Sequence, residues 1–148
     1  MYVNYENTRG RSDTSYSDVV KNIESEGNCP FPFCGEDPAE HHKKPIFAEG
    51  KYWKATDNAY PYDNVDHHIL FIYKEHKLSL TDITTEGWVE LHRLVEETIK
   101  NRNILGGTLF MRFGDTRYTG ASVSHLHAHL VVSKGNSSDY KPVLTRIG

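Results

Sequence analysis

Apolar residues in this chain fall into blocks whose spacing changes along the sequence. In "SYSDVVKNIESEG", Val19, Val20 and Ile23 recur at helical spacing and a glycine follows Glu26, which predicts a short helix. "NCPFPFCGEDP" carries too many prolines and glycines for regular structure and reads as a tight knuckle. "KPIFAEGKYWKATDN" predicts two short strands around the turn Ala48 to Lys51. Ile69 to Tyr73 is continuously apolar or aromatic, the pattern of a buried strand. A long helix follows, with Trp88, Leu91, Leu94, Val95, Thr98 and Ile99 on one face and Thr84 or Thr85 able to cap it. "GGTLFMRFG" reads as a strand, "DTRYTGAS" as a glycine-containing loop and "VSHLHAHLVVS" as a last strand. That order predicts one α+β domain over residues 15–148, with a mostly antiparallel sheet, one long helix and a short N-terminal helix. Residues 1–14 are polar and read as a flexible arm.

The last block carries the candidate chemistry. On a strand, side chains alternate faces and same-face neighbours sit ~6.6 Å apart. His125, His127 and His129 would then share one face, while Leu126, Ala128 and Leu130 pack on the other. Such a row suits three readings. One is an incidental polar face. Another is a cage of three imidazoles around a metal. The third is catalysis, in which one neutral imidazole attacks while its neighbours fix its tautomer and bind developing charge. A straight strand resists converging three consecutive same-face ligands on one ion. Two cysteines, Cys29 and Cys34, are too few for a disulfide framework, and four intervening residues are acceptable for a zinc knuckle. Trp53 could stack on a base or belong to the core.

Bulk properties narrow the partners. At 148 residues one domain is expected, and the net charge of -3 disfavours a nucleic-acid polymer or an anionic membrane as partner. No apolar run reaches the ~20 residues of a membrane span, and "MYVNYENTRGRSD" has no signal-like core, so a cytoplasmic location is the expectation.

"HLHAHLVV" resembles the His-φ-His-φ-His-φ-φ signature of the histidine triad family of nucleotide hydrolases and transferases, where φ is an apolar residue. Two further blocks fit: Gly120 to His125, similar to that family's loop into the motif, and "NAYPYDNVDHHILFIYKEH", similar to its Asn-x-x-Pro and His-x-Leu segment. The likeness spans about residues 28–133. It implies a nucleophilic His127 that becomes covalently nucleotidylated, His129 on the phosphate and assisting the leaving group, and His68 orienting the nucleophile. It further implies Ser122 on a phosphate oxygen and Asn58 on the ribose hydroxyls. Arg112 falls where relatives carry Asn or Gln, and brings a permanent positive charge. Arg117, in a loop about two residues longer than in short relatives, is placed to reach a longer phosphate chain. Ala121 stands where many relatives have Gln. Relatives carrying a cysteine pair close a structural zinc with two histidines, which here are His76 and His125 beside Cys29 and Cys34. The implied function is hydrolysis or transfer at the α-phosphate of a dinucleoside polyphosphate or nucleoside phosphoramidate. A phosphorylase and a non-catalytic nucleotide-binding module are the alternatives. A homodimer is expected on the same likeness.

Overall fold

The computed structural model describes residues 2–31, 43–135, 139 and 141–148. Cys34, Phe33, His41 and His42 lie outside the described residues. Five strands form one antiparallel sheet in the order β1-β2-β3-β5-β4: β1 Ile46–Glu49, β2 Trp53–Asp57, β3 Val65–Tyr73, β4 Thr108–Arg112 and β5 His127–Ser133. Helix α1 spans Thr14–Glu26 and helix α2 spans Thr85–Asn101. Among the described residues, no helix is long and apolar enough to cross a membrane.

Each helix begins where a side chain accepts an otherwise unpaired N–H. Asp13 accepts from Ser15 N and Thr84 from Gly87 N. Helix α1 ends at Gly27, whose φ of 71° is the left-handed C-cap conformation. Leu91 and Leu94 of α2 lie against one sheet face, among Trp53, Ala55, Ile69, Phe71, Ala128 and Leu130. Trp53 is fully buried there, in the core and away from any base, and donates from Nε1 to Gly87 O at 2.8 Å. Glu90 holds the β1–β2 turn by accepting from the backbone N–H of Lys51, Tyr52 and Trp53. Its carboxylate lies where a Cβ at Gly50 would sit, so a side chain there would have to displace it.

The other sheet face carries the polar row. Antiparallel partners share a face, so the register gathers His68, Leu70 and Ile72 from β3, His127 and His129 from β5, and Phe110 and Arg112 from β4. His127 sits between Ile72 and Arg112, and His129 between Leu70 and Phe110. Helix α1 covers this side, where Val20 and Ile23 cluster with Val3 and Val123.

Three expectations need correction. The segment expected to be a flexible arm is folded onto the domain in its described part. Val3 is 1% exposed and bridges Val123, a 3-10 turn spans Tyr5–Thr8, and Asn7 donates to Thr116 O and Ala121 O. Burial of Val3 outweighs the polar composition around it. Strand β5 begins at His127, and His125 precedes it. Leu126 donates to Lys77 O and accepts from Tyr73 N, so the chain joins the ladder only after His125. "DTRYTGAS", expected to be a loop, also contains one helical turn, Thr116–Thr119.

Candidate active site

A cleft of about 340 Å³ opens over the polar sheet face, lined by His127, His129, Arg112, Asn58 and Ser122, and by both distant ends of the described chain. His68 lies directly behind His129. Arg117 is not brought to it: its side chain is largely exposed and paired with Asp115 at 2.6 Å. Local pairing across one helical turn is easier to satisfy than a reach into the cleft.

Hydrogen bonds to groups of fixed polarity set the tautomers. The His125 carbonyl can only accept, so His127 Nδ1, 2.6 Å away, carries the proton. The lone pair of His127 is therefore on Nε2. The Tyr62 N–H can only donate, so His68 Nδ1, at 3.1 Å, is an acceptor and its proton is on Nε2. That proton goes to His129 Nδ1 at 2.9 Å, which leaves His129 protonated on Nε2. His129 Nε2 and Arg112 Nε are buried and have no hydrogen-bond partner among the described residues. Two N–H donors without acceptors thus stand on the same face as the His127 lone pair. Buried donors are normally satisfied, so this pair marks a place for an anion.

Burial keeps these imidazoles neutral. It pushes His127 down to about 4 and His68 to about 3, and it holds His129 well below the usual imidazole range. The positive charge of Arg112 adds to the effect on all three, and that of Arg11 on His68 and His129. A neutral His127 is a nucleophile at neutral pH without any preceding deprotonation.

His68 is brought to the site, but its partner is His129 and not His127, which takes its orientation from the His125 carbonyl. Asn58 lines the cleft and accepts from Tyr60 N at 2.9 Å. Ser122 bonds the Tyr16 hydroxyl. Arg112 donates to Tyr62 OH at 3.3 Å and Thr145 Oγ1 at 2.8 Å, and it also bonds Arg146 O. Phe110 stacks on His129 with centroids 4.6 Å apart, and Phe31 sets its ring edge-on to both His125 and His127.

The third histidine turns away. His125 Nε2 donates to Tyr73 O at 2.6 Å, leaving the Nδ1 lone pair facing Cys29 Sγ at 3.4 Å and His76 Nδ1 at 3.1 Å. One donor atom from each of Cys29, His76 and His125 lies within 4.8 Å of the others. A tetrahedral zinc with N and S ligands has ligand–ligand edges of roughly 3.3–3.6 Å, close to the separations of 3.4 and 3.1 Å from His125 to Cys29 and His76, so these three side chains could hold such an ion. The bond to Tyr73 O is of the kind that aims an imidazole able to bind a metal. Cys34, the expected fourth ligand, lies outside the described residues.

Several lining residues were missed: Arg11 and Tyr16, and near the far end Thr145 and Arg146, together with Phe110, which stacks on His129. Their neighbourhoods are polar and aperiodic, and only Val3 and Tyr5 hinted that the first residues are anchored.

Neither the protein-family models nor the curated proteins give a match to the chain. Solved structures do. A HIT family hydrolase from Clostridium thermocellum superposes with a TM-score of 0.52 at 20% identity, covering 86% of this chain and 96% of that one. The chain has the histidine triad fold. Diadenosine triphosphate hydrolase of Plasmodium falciparum, solved with cyclomarin A, gives a TM-score of 0.52 at 18% identity over 80% of this chain and 82% of that one. A Zn-bound histidine triad family protein from Mycobacterium smegmatis gives 0.50 at 18% identity over 70% and 74%.

Proposed function

We propose that this histidine-triad chain is a nucleotidyl hydrolase or transferase that attacks the α-phosphate of a dinucleoside polyphosphate or nucleoside phosphoramidate through His127. The observation that carries this is the arrangement of one imidazole lone pair, on His127 Nε2, with two unpartnered donors, His129 Nε2–H and Arg112 Nε–H, on one sheet face. Attack by Nε2 forms a P–N bond as the bond from phosphorus to the leaving group breaks. Water then cleaves the P–N bond and releases a nucleoside monophosphate. His129 and Arg112 hold the phosphoryl oxygens, whose negative charge is concentrated in the transition state. His68 keeps the His129 proton on the cleft side, and Asn58 takes the ribose. Inorganic phosphate in place of water would make the same site a phosphorylase.

The Plasmodium relative, a diadenosine triphosphate hydrolase, supports the nucleotide class. The Zn-bound relative supports zinc on Cys29, His76 and His125, with Cys34 as the fourth ligand. Such a zinc would be structural: it would tie the segment around Cys29 to the sheet and fix the His125 carbonyl that orients His127. A homodimer joining the sheets through β4 fits the exposure of Leu109 and Phe113 at that edge, and sedimentation tests it.

The decisive experiment mixes the protein with diadenosine triphosphate and with adenosine phosphoramidate, quenches early, and weighs the intact chain. An acid-labile adenylyl adduct on His127 is expected. Full activity of His127→Ala on both compounds would refute the nucleophile. A chain that binds nucleotide without turnover would favour the non-catalytic module.

A further inference from the structure

The cleft has a charge that the chain as a whole does not. The sequence carries a net charge of -3, yet four arginines (Arg9, Arg11, Arg112 and Arg146) and two aspartates (Asp13 and Asp63) line the cleft. Arg9 is neutralised by Glu6 at 2.7 Å. The other three, among the described residues, have no carboxylate within ion-pair distance and bond only neutral oxygens. Arg11 donates to Tyr60 O at 2.7 Å and Pro61 O at 3.3 Å. Arg112 bonds Tyr62 OH, Thr145 Oγ1 and Arg146 O. Arg146 donates to Glu6 O and Asn7 Oδ1, each at 3.3 Å. The two aspartates keep their charge but form no ion pair with these three: Asp13 caps α1 through Ser15 and feels the charge of Arg11 only weakly, and Asp63 accepts from Ser12, which leaves an excess of positive charge on the cleft.

The three guanidinium groups are held in place. Arg11 lies 4.2 Å above the Tyr16 ring and 5.3 Å from the centre of the Tyr62 ring. Tyr62 OH in turn accepts from Arg112. Arg146 packs on Gly120, whose φ of 65° and missing side chain leave room for it: a Cβ there would meet Arg146 Cγ at 2.6 Å. The three come from three separate parts of the sequence, the first residues, β4 and the last residues. Keeping unneutralised like charges around one cleft is costly unless a multivalent anion joins them.

We infer that Arg11, Arg112 and Arg146 form a polyphosphate-binding wall, so that the ligand carries a chain of at least three phosphates and not a single phosphoryl group with a neutral leaving group. The assignment rests on the cleft being the nucleotide site proposed above, and it selects the polyphosphate class over the phosphoramidate class. Arg112, beside His127, takes the phosphate under attack, and Arg11 and Arg146 take those beyond it. The shared chemistry is the phosphate chain, carried by a nucleotide or free.

Calorimetry with the full chain tests this, using inorganic tripolyphosphate, orthophosphate and, with His127→Ala to prevent turnover, diadenosine triphosphate. Tripolyphosphate is expected to bind at least about 100-fold more tightly than orthophosphate, as more than one charge-assisted contact is gained. Arg11→Gln and Arg146→Gln should each weaken it by about 10- to 100-fold, and Arg93→Gln on the exposed face of α2 should not. Tighter binding of diadenosine triphosphate than of tripolyphosphate would identify the nucleotide as the carrier, and the reverse would identify the free chain. Arg11→Gln and Arg146→Gln binding tripolyphosphate like the parent, or Arg93→Gln losing as much as they do, would overturn the wall. In turnover, the ratio of kcat/KM for diadenosine triphosphate over adenosine phosphoramidate should fall at least tenfold in the Arg11→Gln, Arg146→Gln double variant. Arginine-dependent tripolyphosphate binding without any turnover would refute the enzyme and leave the wall standing. Turnover with an unchanged ratio would do the opposite.

Discussion

The two ends of the histidine row behave as opposites although they are built from the same side chain. At the His125 corner, Tyr73 O takes the Nε2 proton, and the Nδ1 lone pair faces the Cys29 sulfur and His76 Nδ1. That corner can hold a cation. At the His129 corner, Tyr62 N–H sets off a relay through His68 that ends on a proton with no acceptor among the described residues. That corner wants an anion. Imidazole has no preference of its own between these roles. A backbone carbonyl decides one and a backbone N–H the other. His127 lies between them, and the His125 carbonyl links its tautomer to the cation corner.

Breaking the residue between the corners should have the largest effect. His127→Ala is expected to lower turnover of diadenosine triphosphate by about 10⁴-fold or more, measured by product formation in steady state. Stripping the cation corner should act mainly on the fold. A chelator, or Cys29→Ser, is expected to cost about 3 kcal/mol and lower Tm by roughly 10 °C in calorimetry. Chelation that abolishes turnover in a chain that stays folded would instead make the metal catalytic.

Acid should separate neutral imidazoles from exposed ones. His68 is held near 3 by burial, so between that value and the ordinary ~6.5 the unfolded chain binds the extra proton. Its stabilising contribution is complete above ~6.5 and is lost as the pH falls toward 3. The loss should approach about 1.4 kcal/mol per pH unit for each such imidazole, read from denaturant midpoints at pH 7 and pH 5. A midpoint that does not fall in acid would contradict the buried neutral state. The smallest effect is expected from the relay. His68→Leu leaves His129 Nδ1 without its donor and should reduce kcat by about 10- to 100-fold with little change in KM.

Much of this was legible because periodicity and chemistry coincided. Alternation from His127 to Val132 gave β5, and helical spacing from Leu91 to Thr98 gave α2 with its Thr84 cap. The same alternation misled at His125. Its pattern continues the strand, but the backbone has already turned to bond Lys77, and no side chain reports that turn. Arg117 and Arg11 exchanged places for a similar reason. Both are arginines in polar surroundings, and only the docking of Val3 puts Arg11 at the cleft, while Asp115 keeps Arg117 outside. The role of His68 was half legible. Its presence beside the row was implied by the family likeness, but its bond to His129 depends on cross-strand register.

The bridge from Val3 to Val123 has a kinetic side. It joins residues far apart in sequence, as do the bonds from Arg146 to Glu6 and Asn7. Contacts of such long separation cost the most chain entropy to close, so they form late and open early. The Asn4 and Ser124 amides, bonded to Ser122 O and Tyr2 O, should therefore exchange with deuterium sooner than those of β3 and β5. The walls of the cleft would then breathe on a faster clock than the sheet that carries the histidines.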